Sequence, residues 1–75
     1  MAKKLTTRQR QCLRLAAQGK SNRAIGLALG LSHNTVRNHL WIAYSRLGAS
    51  NRTEAVREAL ERGEIVLRKG GDARR

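Results

Sequence analysis

Four side chains that hydrogen-bond or stack recur at helical spacing in the middle of the chain: Asn34, Arg37, Asn38 and Trp41. Their positions, i, i+3, i+4 and i+7, fall on one face of an α-helix. A guanidinium can donate two hydrogen bonds to a guanine edge, and an Asn amide can pair bidentately with an adenine. The indole of Trp41 could stack on a sugar, touch a thymine methyl group, or instead fold back as cover for the core. The pattern predicts a helix face that contacts base edges.

Groups that catalyse reactions or hold metals do not occur at the spacings those tasks need. The sequence contains no paired carboxylates and no nucleophile beside a base. His33 and His39 are six residues apart, on different helix faces, with Cys12 remote. We therefore expect no enzymatic activity, no metal and no cofactor. Cys12 stands at an apolar position and is expected to be a small buried hydrophobe.

The charge of the chain is strongly basic and unevenly distributed. Sixteen Lys and Arg against five Asp and Glu give a net charge of +11. Residues 1–53 contain ten Lys and Arg and no acid, whereas every Asp and Glu follows residue 53. A basic surface that serves solubility alone rarely excludes acids over such a length. We predict a polyanionic partner for this part of the chain. Together with a helix face suited to base edges, this indicates double-stranded DNA.

Length and composition limit the fold and the compartment. Seventy-five residues suffice for one domain with a modest core. Proline is absent and the aromatic residues are only Trp41 and Tyr44, which favours an all-α fold. A single cysteine excludes an internal disulfide and is typical of a reducing compartment. With neither an apolar run of about 20 residues nor a signal peptide, we expect no membrane association and a cytoplasmic, nucleoid-associated protein.

Capping and turn residues predict the first two of four helices. Thr6 opens a capping box before the first helix, which ends at Gly19. Ser21 caps a second, short helix, in which Ala28 is expected to face inward with its aliphatic neighbours. Gly30 ends this helix, because a residue without Cβ adopts positive φ at little cost.

The third helix is predicted to begin after Ser32 and to end at Gly48. Its apolar residues recur at i, i+4, i+7 and i+11, on the face away from the polar row: Val36, Leu40, Ala43 and Leu47. Two helices joined by a tight glycine turn, the second with a polar outer face, form a helix-turn-helix. We predict a compact four-helix domain whose third helix is the recognition helix in the major groove, which is about 12 Å wide and admits one helix.

Side chains at the helix starts are expected to hold the DNA backbone, where hydroxyls, amides and the positive end of the helix dipole meet phosphates. These residues are Lys20, Ser21, Asn22, Arg23, Ser32 and Thr35.

The fourth helix is predicted to run from about Asn51 or Arg52 to Gly63, with residues 65–67 packing back. It carries a stripe of small and aliphatic residues that is partly core and could also meet a second copy across a dyad: Ala55, Val56, Ala59 and Leu60. We expect a homodimer through this helix. The expected organisation is a basic N-terminal arm (1–4), one domain (5–67) and a flexible basic tail (68–75).

Several motifs occur together between about Leu5 and Ile65. They are Leu5-Thr6-x-Arg8, Leu13-x-Leu15-x-Ala17-x-Gly19-x-Ser21-Asn22-Arg23-x-Ile25, Leu31-Ser32-x-x-Thr35-Val36-Arg37-Asn38-His39, Leu47-Gly48 and Asn51-Arg52-Thr53-Glu54-Ala55. In this combination the chain resembles the LuxR-type helix-turn-helix family of bacterial regulators. We expect the resemblance to be to the stand-alone, GerE-like members, since the motifs begin at the fifth residue of this sequence.

The resemblance implies a sequence-specific transcription regulator that binds two half-sites about one helical turn apart as a dimer. It implies base-reading roles for Asn34, Arg37, Asn38 and Trp41, and positions near the DNA backbone for Arg23, Ser32, Thr35, His39 and Arg46. Two departures stand out. The family commonly has acidic residues in the first helix, where this chain has Arg8-Gln9-Arg10-Gln11, so a helix-tethering ion pair is expected to be lost. Trp41 stands where a polar or small residue is usual.

A second hypothesis is an interaction protein. Such a protein would bind RNA polymerase or another regulator and use its charge only for weak DNA affinity. Selective DNA binding would distinguish the first hypothesis from the second.

Overall fold

The computed structural model describes residues 4–67, so the predicted tail and all of the predicted arm except Lys4 lie outside the described residues. Four α-helices follow one another: α1 (Thr7–Ala17), α2 (Asn22–Leu29), α3 (His33–Leu47) and α4 (Arg52–Glu61). The described part of the chain contains no strand. The prediction of an all-α, four-helix domain is confirmed.

Each helix is capped at its start by a side chain that the sequence places there. Thr6 Oγ1 accepts from Gln9 N at 3.1 Å, and Gln9 Oε1 accepts from Thr6 N at 3.0 Å, so the predicted capping box is complete. Ser21 and Ser32 each accept from the backbone amide three residues on, and Asn51 does the same for α4. Each cap satisfies a backbone N–H that the helix leaves unpaired.

The turn between α2 and α3 depends on two glycines. Gly30 ends α2 in the left-handed region, at φ 73°. Gly26 lies buried inside α2, where a Cβ would collide with the carbonyl oxygen of Leu31. The Leu31 amide in turn donates to Gly26 O at 2.8 Å. The turn thus folds closely onto α2, which fixes where α3 begins.

Helices α1 and α3 each pack against all three of the others, and α3 is the longest helix, with four buried apolar residues. The predicted inner face is confirmed: Val36 and Ala43 are fully buried, and Leu40 and Leu47 nearly so. The other helices, together with the segments before α1 and after α4, complete the core with Leu5, Cys12, Leu13, Ala16, Ile25, Ala55, Ala59 and Ile65.

Cys12 is a buried core residue, as predicted, and is fully enclosed. Burial raises the pKa of its thiol above the ordinary value, an effect that the charge of Arg8 opposes in part. The thiol therefore stays protonated at neutral pH and packs as an apolar group.

Two expectations about apolar residues are wrong. Ala28 is exposed, because the short α2 turns Ile25, Gly26 and Leu29 inward and leaves position 28 on its flank. After α4, Ile65 packs into the core as expected, but Val66 remains 67% exposed. Only part of the segment therefore packs back onto the domain.

Helix α1 is also tied to the segment after α4. Arg10 Nη1 donates to Leu5 O at 3.0 Å and lies 3.4 Å from Glu64 Oε1. The expected loss of a tethering ion pair is therefore wrong, since this chain forms one with the positive charge on α1. Both side chains remain in contact with solvent, so the ion pair contributes little to the stability of the domain and mainly orients α1 relative to the segment after α4.

A single arginine connects α4 to the start of the helix-turn-helix. Arg52 Nη2 donates to Asn22 Oδ1 at 2.6 Å, and its Nη1 donates to Lys20 O at 3.1 Å. Helix α2 packs against α1 and α3 and not against α4. The two hydrogen bonds of Arg52 therefore connect α4 to the turn before α2. A flat guanidinium with several donors can satisfy both acceptors at once.

We expect Gly26→Val to destabilise the domain by about 2 kcal/mol, because the added side chain would force the α2–α3 turn away from α2. Urea unfolding followed by circular dichroism measures the change. Ala28→Val is the matched control, since position 28 is exposed on the same helix. Equal costs at the two positions would contradict the close approach of the turn.

We expect Arg52→Lys to cost about 1 kcal/mol of unfolding free energy, because an ammonium keeps the charge but not the fork. Hydrogen exchange should speed up in the turn at residues 18–22, which Arg52 holds. Arg57→Lys on the exposed face of α4 is the control. Unchanged exchange in that turn would show that Arg52 does not secure it.

Candidate nucleic-acid interface

The outer face of α3 carries all four residues predicted to read bases. Asn34, Arg37 and Asn38 are exposed, and the side chain of Trp41 is 72% exposed. The opposite face of the helix is the core, so these side chains point away from the domain. Of the three alternatives left open for Trp41, cover for the core does not fit this exposure.

A shallow cleft runs between this face and the start of α2. It has a volume of about 370 Å³ and is lined by Asn22, Arg37, Asn38, Leu40, Trp41 and Tyr44. The cleft joins a residue predicted to contact the DNA backbone with three predicted to contact bases. The structure thus brings residues from two helices onto one continuous surface.

The charged side chains on this surface are positive. Lys20, Arg23 and Arg37 are exposed, and the ion pairs formed within residues 4–67 involve other arginines, Arg10 and Arg62. The glutamates of the described region all lie on α4 or after it. The cations beside α3 therefore keep their charge available for an anionic partner.

The starts of α2 and α3 supply further hydrogen-bond donors. Neither helix has an acidic residue in its first turn. Ser21 Oγ accepts from Ala24 N, which leaves the hydroxyl proton to donate outward. Ser32 Oγ donates to Thr35 Oγ1 at 3.0 Å, so the Thr35 hydroxyl proton can donate in turn. Such donors at the positive end of a helix dipole suit a phosphate oxygen.

Other residues predicted near the DNA backbone have partners within the domain. The side-chain oxygen of Asn22 is held by Arg52, which leaves its NH₂ group as the donor. Arg46 Nη1 donates to Lys4 O at 2.7 Å, which ties the last turn of α3 to the N-terminal segment. His39 is half-buried on the flank of α3.

Sequence reasoning missed Arg52 and Tyr44 as parts of this surface. Arg52 positions Asn22, and Tyr44 lines the cleft. A signal for Arg52 existed: a cation in the first turn of a helix is unfavourable beside the helix dipole, so such a residue needs a partner elsewhere. Tyr44 had no comparable signal, because its position on α3 lies between the core face and the polar face.

The four residues of the α4 stripe, which were expected to meet a second copy, do not all lie on the surface of the domain. Ala55 and Ala59 are fully buried within the domain, whereas Val56 is half-buried and Leu60 is 38% exposed. Packing against α1 and α3 takes up the small residues. Only Val56 and Leu60 of the four are available for a contact outside the domain.

Two negative findings hold for residues 4–67. No helix there is long and apolar enough to cross a membrane. No group of three or more His, Cys, Asp or Glu side chains in that range is placed to hold a metal ion.

Comparison with known proteins gives a consistent result. Residues 3–59 match the family described as bacterial regulatory proteins, luxR family. The uncharacterised transcriptional regulatory protein YvfU of Bacillus subtilis is 49% identical over 61 residues, which are 81% of this chain and 30% of YvfU. The spore germination protein GerE of Bacillus subtilis is 41% identical over 63 residues, 84% of this chain and 85% of GerE. The chain thus spans less than a third of YvfU but most of GerE.

Solved structures agree with these relatives. The structure of the transcription factor GerE superposes with a TM-score of 0.79 at 37% identity, covering 83% of this chain and 92% of GerE. The LuxR-type receptor VqmA of Vibrio cholerae superposes with a TM-score of 0.77 at 29% identity, over 88% of this chain and 30% of VqmA. The chain belongs to the LuxR family of bacterial regulatory proteins, which are transcription regulators with a DNA-binding helix-turn-helix and not enzymes.

Proposed function

We propose that the protein binds duplex DNA sequence-specifically, with α3 in the major groove. The exposed row of Asn34, Arg37, Asn38 and Trp41 carries the proposal, because these side chains leave the domain on the face opposite its core. Arg37 donates to a guanine, and Asn34 or Asn38 pairs with an adenine. A regulator acting in this way resides in the bacterial cytoplasm, at the nucleoid.

Contacts with the DNA backbone hold α3 in register. The N-termini of α2 and α3 approach phosphates through Ser21, Ser32 and Thr35, while Lys20 and Arg23 add charge. Asn22 contributes its NH₂ group, and His39 and Arg46 lie along the flank of α3. The hydrogen bonds of Arg46 and Asn22 within the domain support this role, because a side chain held in place loses less entropy on binding.

The DNA-bound form is a homodimer through α4. Val56 and Leu60 support this, since both are aliphatic and at least partly exposed at i and i+4 on one flank of the helix. Two copies related by a dyad would place two α3 helices about one DNA turn apart. The solved VqmA structure is that of a dimer whose conformation shifts in the absence of target DNA.

The first experiment selects binding sites from a random duplex pool at about 150 mM salt, where non-specific binding is weak. We expect a two-part motif with half-sites about 10 bp apart. If no sequence is enriched, the proposal of sequence-specific binding is wrong.

Arg37→Ala should weaken binding to the selected site by about 1–3 kcal/mol and relax the preference at one base pair per half-site. Lys20→Ala is the matched control. It should weaken binding to selected and scrambled DNA alike, and it should lower by about one the slope of the logarithm of the binding constant against the logarithm of salt concentration. Fluorescence anisotropy titrations on both duplexes measure the difference. Equal losses on the two duplexes for Arg37→Ala would contradict a base-reading role.

Leu60→Arg should abolish the gain in affinity that a two-half-site duplex has over a single half-site, because it places two like charges at the dyad. Leu27→Arg is the control, since it adds the same charge at an 82% exposed leucine on α2. Analytical ultracentrifugation of the DNA complexes reports the stoichiometry. If the Leu60 variant still forms dimeric complexes, this face of α4 is not the dimer contact.

A second candidate partner is RNA polymerase or another regulator. The observation in its favour is Leu27, which is 82% exposed on α2 and does not line the cleft beside α3. Co-purification with polymerase from nuclease-treated extract, without selective DNA binding, would favour this candidate over the first.

A further inference from the structure

We infer that Trp41 makes the protein select thymine at one position of each half-site, by packing its indole against the thymine C5-methyl group. The inference rests on the proposed function, because it takes α3 to lie in the major groove. It goes further by assigning a base, and a chemical group on that base, to one side chain.

The first argument is the exposure of the indole in the free protein. Trp41 is 72% exposed, and among the hydrogen bonds formed by residues 4–67 none involves its Nε1–H. Removing so large an apolar ring from water is favourable, and its N–H needs a partner once buried. A surface that supplies both an apolar group and an acceptor satisfies the side chain fully.

The second argument is the position of Trp41 on α3. Trp41 follows Arg37 by four residues and Asn38 by three, so it lies about 5–6 Å further along the same face. Successive bases of a strand are about 3.4 Å apart along the DNA axis. If Arg37 contacts a base edge, the indole reaches an edge within about two base pairs of it.

The third argument is the chemistry of the groove. Of the four base edges there, thymine alone presents a methyl group, beside the O4 acceptor. Asn34, Arg37 and Asn38 are polar, so the indole is the large apolar group of the row. Tyr44, which is half-buried, also lines the cleft beside Trp41 and extends its apolar wall. A methyl group with a neighbouring acceptor matches an indole ring with one N–H donor.

The test removes the methyl group and nothing else. In the duplex recovered by selection, each thymine is replaced in turn by deoxyuridine, which keeps every donor and acceptor. We expect one position per half-site at which the replacement weakens binding about fourfold, as the loss of one buried methyl group implies. With Trp41→Ala, deoxyuridine and thymine should bind equally at that position.

Leu27→Ala is the matched control. It also removes an exposed apolar side chain, from α2, and should leave the fourfold ratio unchanged. Cytosine placed at the same position should bind better when it carries a 5-methyl group, in the wild-type protein but not in Trp41→Ala. Circular dichroism checks that the Trp41 variant folds, which its exposure favours.

The outcomes separate the inference from the proposed function. A selected site that tolerates deoxyuridine at every thymine, or that contains no thymine, overturns the inference and leaves sequence-specific binding intact. A penalty that persists in Trp41→Ala overturns it as well, since another residue then contacts the methyl group. If Trp41→Ala weakens binding with no deoxyuridine penalty in the wild type, the indole contacts sugar or phosphate instead. If selection enriches nothing, both the proposed function and the inference fail.

Discussion

Burial of one face of α3 is the interaction on which the rest of the structure depends. Val36, Leu40, Ala43 and Leu47 are buried between α1, α2 and α4. A chain this short forms a single small core, so losing these four residues would remove the surface against which all three other helices pack. Because an α-helix is rigid, burying these four residues also determines which side chains point outward. Stability and the orientation of the candidate reading face therefore come from the same packing.

The links around this core orient the helices rather than adding much stability. Arg52 connects α4 to the turn before α2, Arg10 connects α1 to the segment after α4, and Arg46 connects the end of α3 to Lys4. In two of these three links the arginine donates only to backbone carbonyl and side-chain amide oxygens. Arg46 and Arg52 therefore keep their full positive charge, because their acceptors are neutral, whereas Glu64 offsets the charge of Arg10.

The candidate interface is composed of rigid elements on either side of a tight turn. Gly26 lets the turn approach α2, and the caps at Ser21 and Ser32 fix the starts of α2 and α3. Groups held in this way lose little conformational freedom when they bind, which favours specificity. Trp41 differs from its neighbours, since an exposed indole is unfavourable in the free protein and becomes favourable only against an apolar surface.

The sequence by itself determined the helices, their caps and the two faces of α3. These features depend on residues a few positions apart: a hydroxyl three residues before an amide, or apolar side chains at i and i+4. Only the tertiary structure decided what depends on neighbours distant in the chain. It buried Ala55 and Ala59 while leaving Leu60 exposed, and it paired Arg52 with Asn22, thirty residues away. Periodicity identifies an apolar stripe but not its partner, because the same stripe can pack within one chain or against a second.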